Sequence, residues 1–142
     1  MTFFRNILAW LFSERGHDIG LLILRVAAGA FMMTHGLAKI QNFTELSQTF
    51  ADPIGLGPKF SLILIIFAEF GCSILLILGL LTRLAAIPLT IGMIVAAFVA
   101  HSPFTFGQSE MALLYLAIFV SFFFMGAGRF SADHFIGKSL SK

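Results

Sequence analysis

Six side chains of this 142-residue chain combine ionisable chemistry with strongly apolar surroundings: Arg25, His35, Lys39, Glu69, His101 and Glu110. Histidine and carboxylate move protons near neutral pH. Lysine and arginine hold negative charge in place. Such a set suits an apolar molecule carrying oxygens: His35 and His101 as hydrogen-bond donors, Glu69 and Glu110 as proton relays, Lys39 as the fixed positive charge. A charge at a bilayer centre costs about 3 kcal/mol on insertion scales, so each of these residues is expected to face a protein interior and find a partner.

The elements that carry them are set by composition. Hydrophobic residues make up 58% of the chain and charged residues 11%, too few to cover a water-facing surface. The mean hydropathy of +0.97 and 18 Phe point to lipid as the solvent. A net charge of +2 with scattered basic residues leaves no nucleic-acid footprint. The one cysteine, Cys72, excludes an intrachain disulfide and a cysteine-built metal site.

Continuous apolar runs at Ile19–Ile40, Phe60–Leu81, Arg83–His101 and Glu110–Gly128 are each close to the roughly 20 residues that cross a bilayer as a helix. Between them lie turn signals. Asp52-Pro53-Ile54-Gly55-Leu56-Gly57-Pro58 breaks the first connection, and Gly79 to Arg83 makes a tight second one with Thr82 as N-cap. The fold expected is an all-α membrane protein, a four-transmembrane-helix bundle over residues 16–138. Residues 1–15 precede it, and 139–142 form a short tail. Phe4, Ile7, Leu8, Leu11 and Phe12 repeat at helical spacing, so the N-terminus is expected to be an interfacial amphipathic helix with Trp10 at headgroup depth; packing onto the bundle is the alternative. Arg5, Arg15, Arg83, Arg129, Lys138 and Lys142 fall on the side of the termini, against Lys39 and Lys59 on the other, which predicts both termini cytoplasmic.

Helical spacing puts Arg25, Gly29, Met32, Gly36 and Lys39 on one stripe of span one, with His35 at its edge. On span two Glu69 shares a face with Cys72, Ser73 and Leu76, on span three Thr90, Ile94 and Ala97 with His101, and on span four Glu110 with Ala117, Ser121 and Gly128. A polar chamber is therefore expected in the outer half, walled by His35, Lys39, Glu69, His101 and Glu110, with Arg25 at its floor paired to Glu69. Cys72, Ser73 and Tyr115 are assigned to ligand contact beside Arg25 and Lys39. The simpler readings are a snorkelling Lys39, a dipole-favoured Glu110, a capping His101 and a packing Cys72. Two His and two carboxylates are also metal ligand types, and His35 with His101 a haem pair, but no local spacing motif selects either.

In order and spacing, Arg25-x3-Gly29-x5-His35-Gly36-x2-Lys39, Glu69-x-Gly71, Gly79-Leu80-Leu81-Thr82-Arg83, the run Met93 to His101, Glu110 with Leu114-Tyr115, and Gly126-Ala127-Gly128-Arg129-Phe130-Ser131-Ala132-Asp133 resemble the DoxX family of small membrane proteins. Ala127 and Ala132 depart from its pattern, where Pro and Leu are expected. The resemblance implies a four-helix inner-membrane protein. Founding members of the family are linked to a thiosulfate:quinone oxidoreductase, and others to oxidative-stress or quinone and catechol responses. It thus implies a quinone/quinol-linked redox subunit. The chain has no nicotinamide, flavin or iron–sulfur motif, so its electrons are expected to come from a soluble redox partner protein. A non-catalytic anchor or assembly module, a lipid-binding protein, a transporter and a homo-oligomer remain the other readings.

Overall fold

The computed structural model describes residues 1–11, 13–100 and 103–141. Among these, every regular element is helical: α1 (Thr2–Leu11), α2 (Glu14–Gln41), α3 (Phe43–Thr49), α4 (Pro58–Ile66), α5 (Ser73–Leu78), α6 (Thr82–Val95), α7 (Phe106–Met125) and α8 (Ala132–Leu140). A π-helical turn, Phe67–Cys72, joins α4 to α5, and another, Ala96–Ala100, extends α6. Four helical stretches are long and apolar enough to cross a bilayer: Arg15–Gln41, Pro58–Leu78, Thr82–Ala100 and Phe106–Met125. They match the four expected spans, with ends moved by local chemistry.

Span one starts earlier than its apolar run because the Ser13 hydroxyl caps it, accepting the Gly16 N–H at 3.4 Å. Span two ends at Leu78, three residues short of the expected Leu81. Gly79 takes the left-handed conformation (φ 67°), and the bonds Gly79 N–H to Leu76 O and Leu80 N–H to Leu75 O close a Schellman turn. Span four starts four residues before Glu110, at Phe106, and stops at Gly126 with φ 75°. Helices α3 and α8 arise in segments expected to be loop and tail, so residues 139 and 140 continue α8. The apolar residues Phe4, Ile7 and Leu8 of α1 are exposed. The expectations for the side chains of Trp10, Leu11, Phe12 and Lys142 lie outside the described residues.

Each span packs on the next along the chain: α2 on the second span, the second on α6, and α6 most extensively on α7. Large apolar side chains such as Ile23, Phe67, Ile91 and Leu114 face outward, whereas Ser73, Thr82 and Ser109 are fully buried. This inside-out distribution fits a lipid solvent, in which small interior residues let helices approach closely.

At the end of the bundle that holds both termini, the segment after α7 straps the spans together. The Arg25 guanidinium, 1% exposed, donates to Ala127 O at 2.8 Å and Phe130 O at 2.7 Å. Asp18 accepts from Arg129 N–H at 3.0 Å. Asp133 accepts from Leu81 N–H at 2.6 Å and Thr82 N–H at 2.9 Å, and its own N–H donates to Gly79 O at 2.8 Å. The cap of α6 is therefore Asp133, 51 residues away from Thr82 in sequence, and Thr82 is corrected from N-cap to first helical residue. The left-handed Leu81 (φ 51°) occupies the cap position and directs the two N–H groups to that carboxylate. A side chain at Gly79 would overlap the Arg25 guanidinium, so glycine is required there by both φ and space.

Replacing Asp133 by Ala is expected to lower stability by about 1–2 kcal/mol, the loss of a helix cap, and thermal unfolding in detergent measures it; an unchanged Tm refutes the clasp. In the first connection, the hydrogen bond from Gly57 N–H, with those from Ser61 Oγ and Leu56 N–H, holds the Asp52 carboxyl below the ordinary carboxylate range. A depressed folded value means that this turn is stabilised above the unfolded pKa and loses that support as pH falls through the folded one. The Leu56 and Gly57 amide shifts should therefore titrate with a midpoint below about 3.9, the unperturbed aspartate value, and Asp52→Asn should abolish the titration.

Candidate functional site

The stripe of span one is buried as its spacing predicts. Arg25, Gly29, Met32 and Gly36 are buried, and Lys39 is half-buried at the far end. Its two glycines bring α2 onto the backbone of span two. A Cβ at Gly29 would stand 2.6 Å from Ile77 Cγ1 and 3.2 Å from Ser73 O, and one at Gly36 would stand 2.7 Å from Phe70 N. The Gly36 contact falls on the π-helical turn that carries Glu69. Such a turn inserts a residue into the helix and re-aims the side chains beyond it, and it is frequent at functional sites.

Lys39 reaches back along α2 from beyond Gly36, and its Nζ lies 2.6 Å from Glu69 Oε2. The Glu69 side chain is 6% exposed and that of Lys39 22%. The anion is thus enclosed while the cation keeps a side open. Further along span two, Cys72 and Ser73 are buried on the face that the sequence predicts, Ser73 at the level of Gly29. The Ser73 hydroxyl has no hydrogen-bond partner among the described residues. Removing one member of a buried pair leaves an uncompensated charge, which costs about 3–5 kcal/mol, whereas replacing both by apolar residues is close to neutral.

The expected Arg25–Glu69 pair is corrected: Glu69 is taken by Lys39, and Arg25 bonds carbonyls at the other end of the bundle. About 21 Å of helical rise separates Arg25 from Lys39, so the two charges occupy separate levels. Glu110 is corrected as well. It is exposed, because the packed face of α7 runs through Ser109, Ala112, Tyr115, Phe119 and Phe122. At 100° per residue, Glu110, Ala117 and Ser121 share the opposite face. On span three the buried side runs through Ala85, Ala86, Leu89, Met93 and Ala97, while Ile94 is exposed. Of the five expected walls, Lys39 and Glu69 are joined directly and Glu110 faces away. His101 lies outside the described residues.

His35 is exposed and meets Tyr115 of α7 edge-on, with ring centroids 6.4 Å apart. Tyr115 is 7% exposed and stacks on Phe119 at 5.7 Å. Spans one and four are not packed closely along their lengths. They meet at this ring contact and through the Arg25 strap. The seam between them is edged by the rings of His35 and Tyr115, with His35 on its exposed side. A cavity of about 400 Å³ lies elsewhere, where Ser47 and Leu56 face Pro58, Lys59, Phe60 and Ile63. Among the described residues no group of three or more His, Cys, Asp or Glu is placed to hold a metal ion.

Sequence reasoning missed Asp18, Asp52 and Asp133 as acceptors. Asp52 was findable, because an Asp ahead of Pro-x-Gly-x-Gly is an Asx-turn signal. Asp18 and Asp133 act across more than 50 residues, and no local pattern marks that.

The DoxX family profile matches residues 20–102. The chain is 31% identical over 125 residues to "Inner membrane protein YqjF" of Escherichia coli (strain K12), a match covering 85% of this chain and 95% of that protein. It is 36% identical over 129 residues to an uncharacterized protein of Haemophilus influenzae (strain ATCC 51907 / DSM 11121 / KW20 / Rd), covering 85% and 93%. It is 30% identical over 127 residues to "Putative oxidoreductase CatD" of Bacillus subtilis (strain 168), covering 88% and 92%. No solved structure gives a significant match.

For the ion pair, Lys39→Met alone is expected to destabilise the bundle by about 3–5 kcal/mol and the double change Lys39→Met with Glu69→Leu to restore most of it. Denaturation of the four species in detergent reads the coupling; additive losses would show that the two side chains do not depend on each other.

Proposed function

The chain belongs to the DoxX family of multi-pass inner-membrane proteins, and on that premise we propose that it is a quinone/quinol-linked redox subunit whose ligand binds at the Lys39–Glu69 pair. The observation that carries this reading is an ion pair 2.6 Å long inside membrane-spanning helices, on a π-helical turn, with a buried hydroxyl four residues further along span two, Ser73 Oγ, that has no hydrogen-bond partner among the described residues. An unmet donor in an apolar interior is a cost that a ligand oxygen removes. The donor set fits a flat apolar ring bearing two oxygens.

A bound quinone supplies two-electron, two-proton chemistry. The chain's own residues would bind it and manage its protons. His35 and Tyr115 edge the seam through which an apolar ring passes from lipid without crossing water. Lys39 Nζ, the half-open member of the pair, offers hydrogen bonds and positive charge to a ligand oxygen. Glu69 would hold a proton at its carboxylate. Ser73 Oγ donates to a second oxygen. The electron donor is a separate protein, since this chain carries no motif for an electron-storing group. With both termini in the cytoplasm, as the Arg and Lys distribution supports, the pair lies in the outer half of the bilayer.

A second reading, a membrane anchor or assembly module for a soluble enzyme, is favoured by a different observation. Helices α1 and α8 expose Phe3, Phe4, Phe135, Ile136 and Leu140, and apolar stripes of this kind suit either the lipid interface or a docked protein.

The test is binding of a short-chain ubiquinone to the protein in nanodiscs, together with mass spectrometry of what co-purifies. His35→Ala and Lys39→Ala should each weaken binding about tenfold, or roughly 1.4 kcal/mol. Binding that survives both changes unaltered would remove the site from this function.

A further inference from the structure

Within this membrane-spanning pair, the two partners differ in access. Glu69 is enclosed by Gly36 and the π-helical turn, and only Lys39 keeps a side open. The carboxylate therefore sits where a ligand's negative oxygen would sit, on the lysine ammonium. We propose that Glu69 is an internal stand-in for an anionic ligand, and that a lipophilic oxyanion displaces it from Lys39 with protonation of Glu69. The proposal rests on the ligand-site reading above and deepens it by assigning a charge state and a proton count.

The reason is charge balance. With Lys39 and Glu69 ionised, the pair sums to zero. An added anion would leave a net negative charge in an apolar interior, which lipid-facing helices tolerate poorly. Neutrality is kept if Glu69 takes up one proton as the anion binds. The step balances: the ligand arrives as its anion, one proton is taken from water, an O–H bond forms on the Glu69 carboxyl, and the anion's oxygen replaces Glu69 Oε2 on Lys39 Nζ. The apolar body is received at the aromatic edge of His35 and Tyr115, where spans one and four are in sparse contact. The shared ligand chemistry is one oxyanion on an apolar body, supplied by a phenol or by a fatty acid.

The other ionisable groups on the elements around the pair do not provide this exchange. Arg25 and Arg83 donate to backbone carbonyls of the strap and of α7. Lys59 is exposed at the start of α4. Cys72 is a buried thiol of span two. His35 and Tyr115 face each other at the seam. Glu69 is thus the one carboxylate of the described residues joined to Lys39.

The experiment uses the full chain in nanodiscs, with pentachlorophenol and oleate as probes and pentachloroanisole and methyl oleate as their neutral counterparts. Calorimetry in two buffers of different ionisation heat, at a pH where each probe is anionic, gives the protons taken up per saturable site. Wild-type protein should take up about one proton per bound anion, as a neutral interior demands. Glu69→Gln should take up none and bind the anion at least about tenfold more tightly, because the internal competitor is gone. Lys39→Gln should lose saturable anion binding, and the neutral counterparts should bind without proton uptake. Saturation by pentachlorophenol alone or by oleate alone supports the proposal and identifies the apolar body. Saturable binding with no proton uptake by wild type overturns it, and this measurement needs no variant to fold. Short-chain ubiquinone binding without binding of either acid overturns this inference and leaves the ligand site standing. Failure of all three ligands removes both.

Discussion

A bilayer interior offers no hydrogen-bond partners, so every charge placed there must be answered by the protein itself. This chain places two charged residues well inside its spans and answers them in different ways. Arg25 is met by fixed dipoles, the carbonyls of Ala127 and Phe130. Glu69 is met by an opposite side-chain charge, Lys39. The first answer uses carbonyl acceptors on backbone that cannot move without unravelling the strap. The second joins two side chains on neighbouring helices, one of them on a flexible stem.

Backbone proximity makes both answers available. Gly29 and Gly36 let α2 lie against span two, which brings Lys39 within reach of a carboxylate on the neighbouring helix. Gly79 opens the space the Arg25 guanidinium fills. The π-helical turn at Phe67–Cys72 sits opposite Gly36. Its irregular backbone is sheltered by protein, the condition under which such turns survive at membrane depth. The capping of α6 by Asp133 ties the tight hairpin between spans two and three to the strap, so the end opposite the ion pair is held by bonds between segments distant in the chain.

Much of the architecture was legible in the chain. Four apolar runs of bilayer length dictate four helices, because lipid leaves no other way to satisfy so much backbone. The Arg25–Gly29–Met32–Gly36–Lys39 stripe and the Glu69–Cys72–Ser73–Leu76 face are visible as helical spacing, and both are buried. The face through Glu110, Ala117 and Ser121 is visible too, but spacing alone does not say whether a face looks inward. In lipid an outward face also tolerates small residues, so spacing points Glu110 inward although Ser109 and Tyr115 mark the packed side.

Composition and periodicity determined the membrane setting, the number of spans and which residues share a stripe, since these depend only on local chain geometry and the solvent. The partner of each charge was decided by tertiary structure alone. Whether Glu69 meets Arg25 or Lys39 depends on the axial offset of two helices, set by where Gly36 seats on the π-helical turn. Asp133 caps a helix that begins 51 residues earlier, because the strap returns there. Such pairings are made by backbones far apart in the chain, and only the packed structure holds their distances.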